Sequence, residues 1–231
     1  MSESGKLTPG SSFAQLIDHT LLRPEATWAD ISRHCNEAIT HGFYAVCVNS
    51  FWIPNCHELL AGKNVKICAT VGFPLGASST SVKSFEAAWC RDIGADEIDM
   101  VINIGAIKSR QTKAVEEDIL HVVAASTPAK VKVILETSLL TDLEKKLACE
   151  IAKGAGAAFV KTSTGFLGTG ASEEDVKLMR SVVGHELGVK ASGGIHDLKT
   201  LQRMVSAGAS RIGTSSGVAI VTGKRVTKGE Y

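Results

Sequence analysis

Short runs rich in valine and isoleucine alternate with longer amphipathic segments along the whole 231-residue chain. The short runs fall at 15–19, 43–48, 65–71, 97–103, 131–136, 158–162, 188–191 and 211–213. Several lack polar alternation, which is how a strand covered on both faces reads. Gly42, Gly94, Gly156 and Gly208 each end an amphipathic segment just upstream of an apolar run, spaced 52, 62 and 52 residues apart. Glycine suits the left-handed residue that stops a helix before a short loop. Regular strand–helix alternation implies a parallel sheet with right-handed crossovers. Eight units in this length fit an α/β fold of the single-domain (β/α)8 TIM-barrel type, with a doubly wound open sheet as the alternative. No linker or composition break divides the chain. The barrel is expected at residues 13–221, after a flexible N-terminal segment 1–12 and before a C-terminal tail 222–231.

The amphipathic segments carry helix start signals. Thr27 precedes Asp30 by three residues, and Trp28, Ile31, Cys35 and Ile39 mark one apolar face. Thr141 and Glu144 have the spacing of a capping box, followed by Leu143, Leu147 and Ile151 at helical period. Ser172 with Asp175, and Asp197, open two more helices. Val82, Phe85 and Trp89 form an apolar stripe, as do Val115, Ile119 and Val122.

Composition narrows the partners. Lysine and arginine total 25 against 24 acidic residues, a net charge of +1, so no single-sign field steers the chain to nucleic acid or a membrane surface. The start MSESGKLTPGSS lacks the apolar core of a secretory signal. No apolar run approaches the roughly 20 residues of a membrane span. The six cysteines form no CxxC pair and read as free, buried thiols of a reducing compartment, the cytoplasm. The seven histidines show no HxH or HExxH spacing, so neither a metal nor another cofactor is expected. His34 and His41 are expected at the surface of a helix.

The informative residues are charges set in apolar strands. Asp99 lies between Ile98 and Met100, Lys161 ends AAFVK before a Thr/Ser/Gly turn, and Lys190 precedes Ser192, Gly193 and Gly194. Late-strand residues of a barrel face its catalytic mouth. Lys130 and Lys132 come at a strand start, where they are expected to reach solvent at the barrel floor. A lysine attacks a carbonyl only when neutral, and at an unperturbed pKa of about 10.4 only roughly one amine in 2,500 is neutral at pH 7. Lowering that value to about 7 requires roughly 4–5 kcal/mol of disfavour for the charged form, which burial and a second cation supply. The resulting iminium permits carbon–carbon bond cleavage, with Asp99 placed to move a proton. Ser192-Gly193-Gly194 and Gly213-Thr214-Ser215-Ser216-Gly217 follow the last two strands, where barrels often cradle phosphate on loop amides. A Schiff-base aldolase, another phosphate-binding barrel enzyme such as an isomerase or dehydratase, and a sugar-phosphate binder without catalysis are all compatible with these features.

Across LIDHTLLRPEAT, AVCVNS, KICATVGFPLG, GADEIDMVINIGA, KVILET, FVKTSTGF, GVKASGG and IGTSSG the sequence resembles the deoxyribose-phosphate aldolase family of class I aldolases. The resemblance implies reversible cleavage of 2-deoxy-D-ribose 5-phosphate into D-glyceraldehyde 3-phosphate and acetaldehyde. It makes Lys161 the Schiff-base nucleophile, Lys190 the residue that lowers its pKa and relays protons, and Asp99 the proton donor and acceptor. Asp18 would support Lys190. Gly165, Gly193, Gly194, Ser215 and Ser216 match positions lining the phosphate pocket, and Cys47 matches a position near the substrate. Small phosphorylated sugars and aldehydes are the implied partners, and a homo-oligomer, dimer or tetramer, the implied assembly. Family tails can end in a tyrosine that approaches the active site, and Tyr231 is the last residue of this sequence; a mobile tail without a role is the default expectation.

Overall fold

A computed structural model describes residues 10–223; Tyr231 lies outside them. Eight parallel strands close into a barrel in sequence order, with β1 pairing β8. They are β1 (Ile17–Leu21), β2 (Ala45–Val48), β3 (Lys66–Val71), β4 (Glu97–Val101), β5 (Lys130–Ile134), β6 (Phe159–Lys161), β7 (Gly188–Ser192) and β8 (Arg211–Thr214). Around them lie α1 (Trp28–His41), α2 (Ile53–Leu59), α3 (Thr80–Asp92), α4 (Ile104–Lys108), α5 (Thr112–Ser126), α6 (Asp142–Gly154), α7 (Glu173–Val183), α8 (Leu198–Ser206) and α9 (Gly217–Thr222). The closed order excludes the open sheet. No described helix is long and apolar enough to cross a membrane.

The local signals act as their chemistry requires. Thr27 and Asp30 form a reciprocal capping box at the start of α1, as do Thr141 and Glu144 at α6. Ser172 and Asp197 each accept the backbone N–H three residues on. Gly42 ends α1 in the left-handed conformation, and Gly94, Gly156 and Gly208 share its positive φ.

Period-two alternation sorts each strand into two faces. Ile17, Val46, Ile67, Ile98, Met100, Val131, Val133, Val160, Val189 and Ile212 all join one apolar cluster with Ile31, Cys35, Ala87, Ile119 and Val176 of the helices. The hydrophobic core is therefore the layer between barrel and helices. The intervening residues face the barrel axis.

Four expectations change. Residues 10–12, assigned to a flexible segment, are a turn and the start of a 3-10 helix (Ser11–Leu16); Gly10 lets this backbone lie against Ile220, whose carbonyl oxygen a Cβ at Gly10 would meet at 2.3 Å. This helix also takes residues 15 and 16 from the expected first strand. The stripe Val82, Phe85 and Trp89 faces outward, with exposures of 55, 75 and 41%. α3 instead buries Lys83, Ala87 and Cys90, because Lys83 Nζ pairs with Asp118 of α5 at 2.6 Å and donates to the Val101 carbonyl at 3.0 Å. His34 is buried rather than exposed: its ring stacks on His19 at 4.0 Å and its Nε2 bonds the His19 carbonyl at 3.0 Å.

Candidate active site

Seven charged side chains from six strands meet inside the barrel, all buried: Asp18, Glu97, Asp99, Lys132, Lys161, Lys190 and Arg211. Each follows from strand parity. In β4 the outward Ile98 and Met100 bracket Asp99, and in β7 the outward Val189 and Ala191 bracket Lys190. Register then sets neighbours: Lys161 pairs with Lys190 across β6 and β7, and Asp99 pairs with Lys132 across β4 and β5.

One carboxylate oxygen joins the two late-strand lysines. Asp99 Oδ2 accepts from Lys161 Nζ at 2.7 Å and from Lys190 Nζ at 2.8 Å. Lys190 also donates to Asp18 Oδ2, whose other oxygen receives Arg211 Nη1 at 2.8 Å. The four residues singled out by sequence, Lys161, Lys190, Asp99 and Asp18, thus form one hydrogen-bonded unit. Cys47 lies among them, in register with Cys68 across β2 and β3 and hydrogen-bonded to its thiol.

Lys132 overturns its expectation. It is fully buried in the barrel, with Nζ 2.7 Å from Glu97, 2.8 Å from Asp99 Oδ1, 3.2 Å from Cys68 Sγ and 3.6 Å from Asp18. β5 begins low enough that only Lys130 is exposed, so its next inward residue already reaches the network. Val131 and Val133 on either side were the available signal, the same apolar bracket that marks Asp99 and Lys190. Sequence reasoning also missed Glu97 and Arg211, which bond each other at 2.8 Å, with the guanidinium 3.6 Å over the Tyr44 ring. Gly213 of β8 was assigned to a phosphate loop, yet a Cβ there would lie 3.0 Å from Lys190 Cε and 2.9 Å from Ser192 Cβ. Its bareness makes room for the lysine.

Electrostatics follow from who touches whom. Burial pushes the Asp18 carboxyl up, but Lys190, Lys132 and Arg211 outweigh it and hold it at about 2. Burial opposes the charge of Asp99 too, and Lys132, Lys161 and Lys190 still hold it well below the usual carboxylate range. Burial disfavours the Lys190 ammonium, and Asp18 and Asp99 more than compensate, raising it. Lys132 is raised in the same way, chiefly by Asp99. The Cys47 thiol is lowered by its hydrogen bond with Cys68, while burial drives Cys68 well up. Four basic side chains face three acidic ones, so the cluster holds one basic group in excess.

The loops above β6, β7 and β8 hold the remaining candidates. Gly165, Gly193 and Gly194 have φ of 85, 85 and 74°. The first two loops are clipped together, since Ala171 N–H donates to the carbonyls of Ser192 and Gly193 at 3.1 and 3.0 Å. Ser215 is exposed, while buried Ser216 leads into α9 and hydrogen-bonds His196 Nδ1 at 3.2 Å. Two sets of residues bring metal-ligating atoms together inside the barrel, Cys47–Cys68–Asp99 and Asp18–Cys68–Glu97. The Lys132 ammonium contacts Asp18, Glu97, Cys68 and Asp99 and so competes with any metal for them.

A sequence profile of the DeoC/LacD family aldolases matches residues 12–223. Deoxyribose-phosphate aldolase 1 of Bacillus licheniformis is 56% identical over 211 residues, 91% of this chain and 95% of its own length. The deoxyribose-phosphate aldolase of Halalkalibacterium halodurans is 55% identical over 222 residues, 95% and 99% of the two chains. The tetrameric deoxyribose phosphate aldolase structure from Aeropyrum pernix superposes with a TM-score of 0.87 at 35% identity, covering 92% of this chain and 91% of that one.

Proposed function

Because the chain belongs to the DeoC/LacD family of aldolases, we propose that it reversibly cleaves 2-deoxy-D-ribose 5-phosphate into D-glyceraldehyde 3-phosphate and acetaldehyde through a Schiff base on Lys161. The observation that carries this reading is the shared oxygen of Asp99, which holds the amines of Lys161 and Lys190 at 2.7 and 2.8 Å. Lys190 and Lys132 are kept cationic by two and three carboxylates, so the role of nucleophile falls to Lys161, which touches one.

The amine of Lys161 adds to the substrate aldehyde, and the carbinolamine loses water to give an iminium. Removal of the C3 hydroxyl proton drives cleavage of the C2–C3 bond, whose electrons flow to the iminium nitrogen. This releases D-glyceraldehyde 3-phosphate and leaves an enamine. Protonation of the enamine carbon and hydrolysis then free acetaldehyde and the amine. Asp99, held as an anion beside two ammonium groups, is the acceptor and relay for these protons, and Lys190 is the donor. Asp18 fixes Lys190, and Cys47 borders the pocket. Gly165, Gly193, Gly194, Ser215 and Ser216 are the residues to bind the phosphate, through backbone amides and hydroxyls.

Incubation with acetaldehyde and borohydride should leave a reduced ethyl adduct on Lys161, mapped by mass spectrometry, and Lys161→Met should lose cleavage by about 10⁴–10⁶-fold. An adduct on another residue would sink the reading. Two supporting features extend it. The outward row Val82, Phe85 and Trp89 on α3 suits a homo-oligomer in which a second copy covers that face; Phe85→Glu should then lower the mass measured by light scattering, and an unchanged mass would exclude this face. The six buried free thiols, Cys35 and Cys56 lying unjoined at 3.7 Å, suit the reducing cytoplasm.

A further inference from the structure

All six cysteines are buried, and two of them meet in the layer between the barrel and its helices. Cys35 lies on the inner face of α1 and Cys56 on that of α2, with their Sγ atoms hydrogen-bonded at 3.7 Å. Both are fully buried and belong to the apolar cluster, with Ile31 and Ala38 of α1 and Ile53 of α2. The reaction proposed above uses neither.

Contact sets the two thiols apart. Their shared hydrogen bond holds Cys35 below its ordinary value against the opposing effect of burial, and it pushes Cys56 up in company with burial. Cys35 is therefore the sulfur that ionises, and Cys56 the one that keeps its proton. The other cysteines lack this arrangement. Burial, joined by a nearby glutamate in each case, drives Cys90 and Cys149 up to about 12. Inside the barrel Cys47 also has a thiol neighbour, but that neighbour, Cys68, is tied to Asp99 Oδ1 at 3.1 Å and to Lys132 Nζ at 3.2 Å.

The helix that carries Cys56 is the weaker of the two supports. α1 runs for 14 residues behind a capping box, whereas α2 has seven residues, no side-chain cap, and only Ile53 and Cys56 buried. Its Pro54, His57 and Glu58 are exposed, as is the whole turn 61–64 that follows it. A short element anchored by few buried side chains opens at lower cost than the whole fold. A peroxide, little larger than water, can reach the pair through such an opening.

We propose that Cys35 and Cys56 are a peroxide-oxidisable pair whose reversible disulfide pins α2 to α1. The Cys35 thiolate attacks one oxygen of the peroxide; an S–O bond forms, the O–O bond breaks, and the departing hydroxide takes a proton to leave as water. Cys56 sulfur then displaces the hydroxyl of this sulfenic acid; the S–S bond forms, the S–O bond breaks, and the thiol proton leaves in a second water. The thiols lose two electrons and the peroxide gains them. Cys35 and Cys56 stand 21 positions apart, and the loop so closed contains all of β2. Closing it restricts the unfolded chain and stabilises the folded one.

The test treats the full-length protein with hydrogen peroxide and maps its peptides without reduction. The peptides that contain Cys35 and Cys56 should appear joined, lighter by two hydrogens, and should separate again in dithiothreitol. The oxidised protein should melt about 5 °C higher. Its cleavage rate should not change, because both sulfurs lie outside the barrel. Cys35→Ala should abolish the bridge and the melting shift together. Cys56→Ala should stop the reaction at the sulfenic acid, trapped as a dimedone adduct on Cys35. Wild type that yields no joined peptide, or joins Cys47 to Cys68 instead, overturns the pair. A bridge without a rise in Tm overturns the pinning role, and a dimedone adduct on Cys56 in Cys35→Ala reverses the order of attack. Should either alanine variant fail to fold, the wild-type peptide map and melting shift decide alone.

Discussion

The two faces of each strand do different work. Outward, Ile17, Ile98, Val131 and Val189 pack against helices in one apolar cluster; inward, their immediate neighbours Asp18, Asp99, Lys132 and Lys190 are ions held by one another and by Glu97, Lys161 and Arg211. Apolar burial of the first kind stabilises by about 25 cal/mol per Å². Ion burial of the second kind is costly, and is repaid only where geometry and hydrogen bonds are complete. Stability therefore comes mainly from the outer layer, and the inner one holds strained chemistry that the outer one can carry. A single-residue step along a strand crosses from one region to the other.

Adjacent pairs of substitutions can break this division. The largest contrast is at β4. Asp99→Asn removes the partner of three lysines and should cost about 3–5 kcal/mol in urea unfolding, together with nearly all cleavage activity. Ile98→Ala should cost a similar about 2–5 kcal/mol through its cavity, yet the protein that remains folded should turn over normally. Equal activity losses in the two variants would show that the faces are not separate. Next comes Gly213→Ala, whose new methyl group would crowd Lys190 Cε. It should lower kcat by up to about 100-fold through misplacement of the amine, while overpacking costs about 1–3 kcal/mol. A stability loss without a kcat change would mean that the lysine does not need its present position.

The smallest effect lies in acid. Asp18 remains ionised in the folded chain down to about pH 2, whereas the unfolded chain takes up this proton near 3.8. Its contribution, about 2 kcal/mol, is complete above pH 3.8 and is lost as pH falls towards 2. Asp18→Asn should flatten the stability curve in that window, and Ile17→Ala should lower the whole curve without altering its slope. A slope that survives Asp18→Asn would assign the acid sensitivity to other carboxylates.

Much of this was legible in the chain. Strand order, helix caps such as Thr27 with Asp30, and the trio Lys161, Lys190 and Asp99 follow from period and spacing. Lys132 was misplaced because depth in a barrel depends on where each strand starts relative to its neighbours, and that stagger is a property of the closed sheet. The α3 stripe misled for a related reason: apolar period shows that a helix has a face, but not what covers it. Here a buried Lys83–Asp118 pair occupies the inner side. Phe73 and Phe166 are 93 residues apart and meet only because the barrel closes.

The shared oxygen of Asp99 has one more consequence, for the order in which covalent species follow each other. When the Lys161 nitrogen is a free amine or an enamine, the remaining cations, Lys132, Lys190 and Arg211, match Asp18, Glu97 and Asp99 one for one. When it is an iminium, that parity is lost, in surroundings too dry to screen the surplus. The interior is thus least at ease with the one intermediate that should not persist. In the proposed reaction bond cleavage turns the iminium into an enamine, and parity returns once the hydroxyl proton taken up by Asp99 has been passed on out of the barrel.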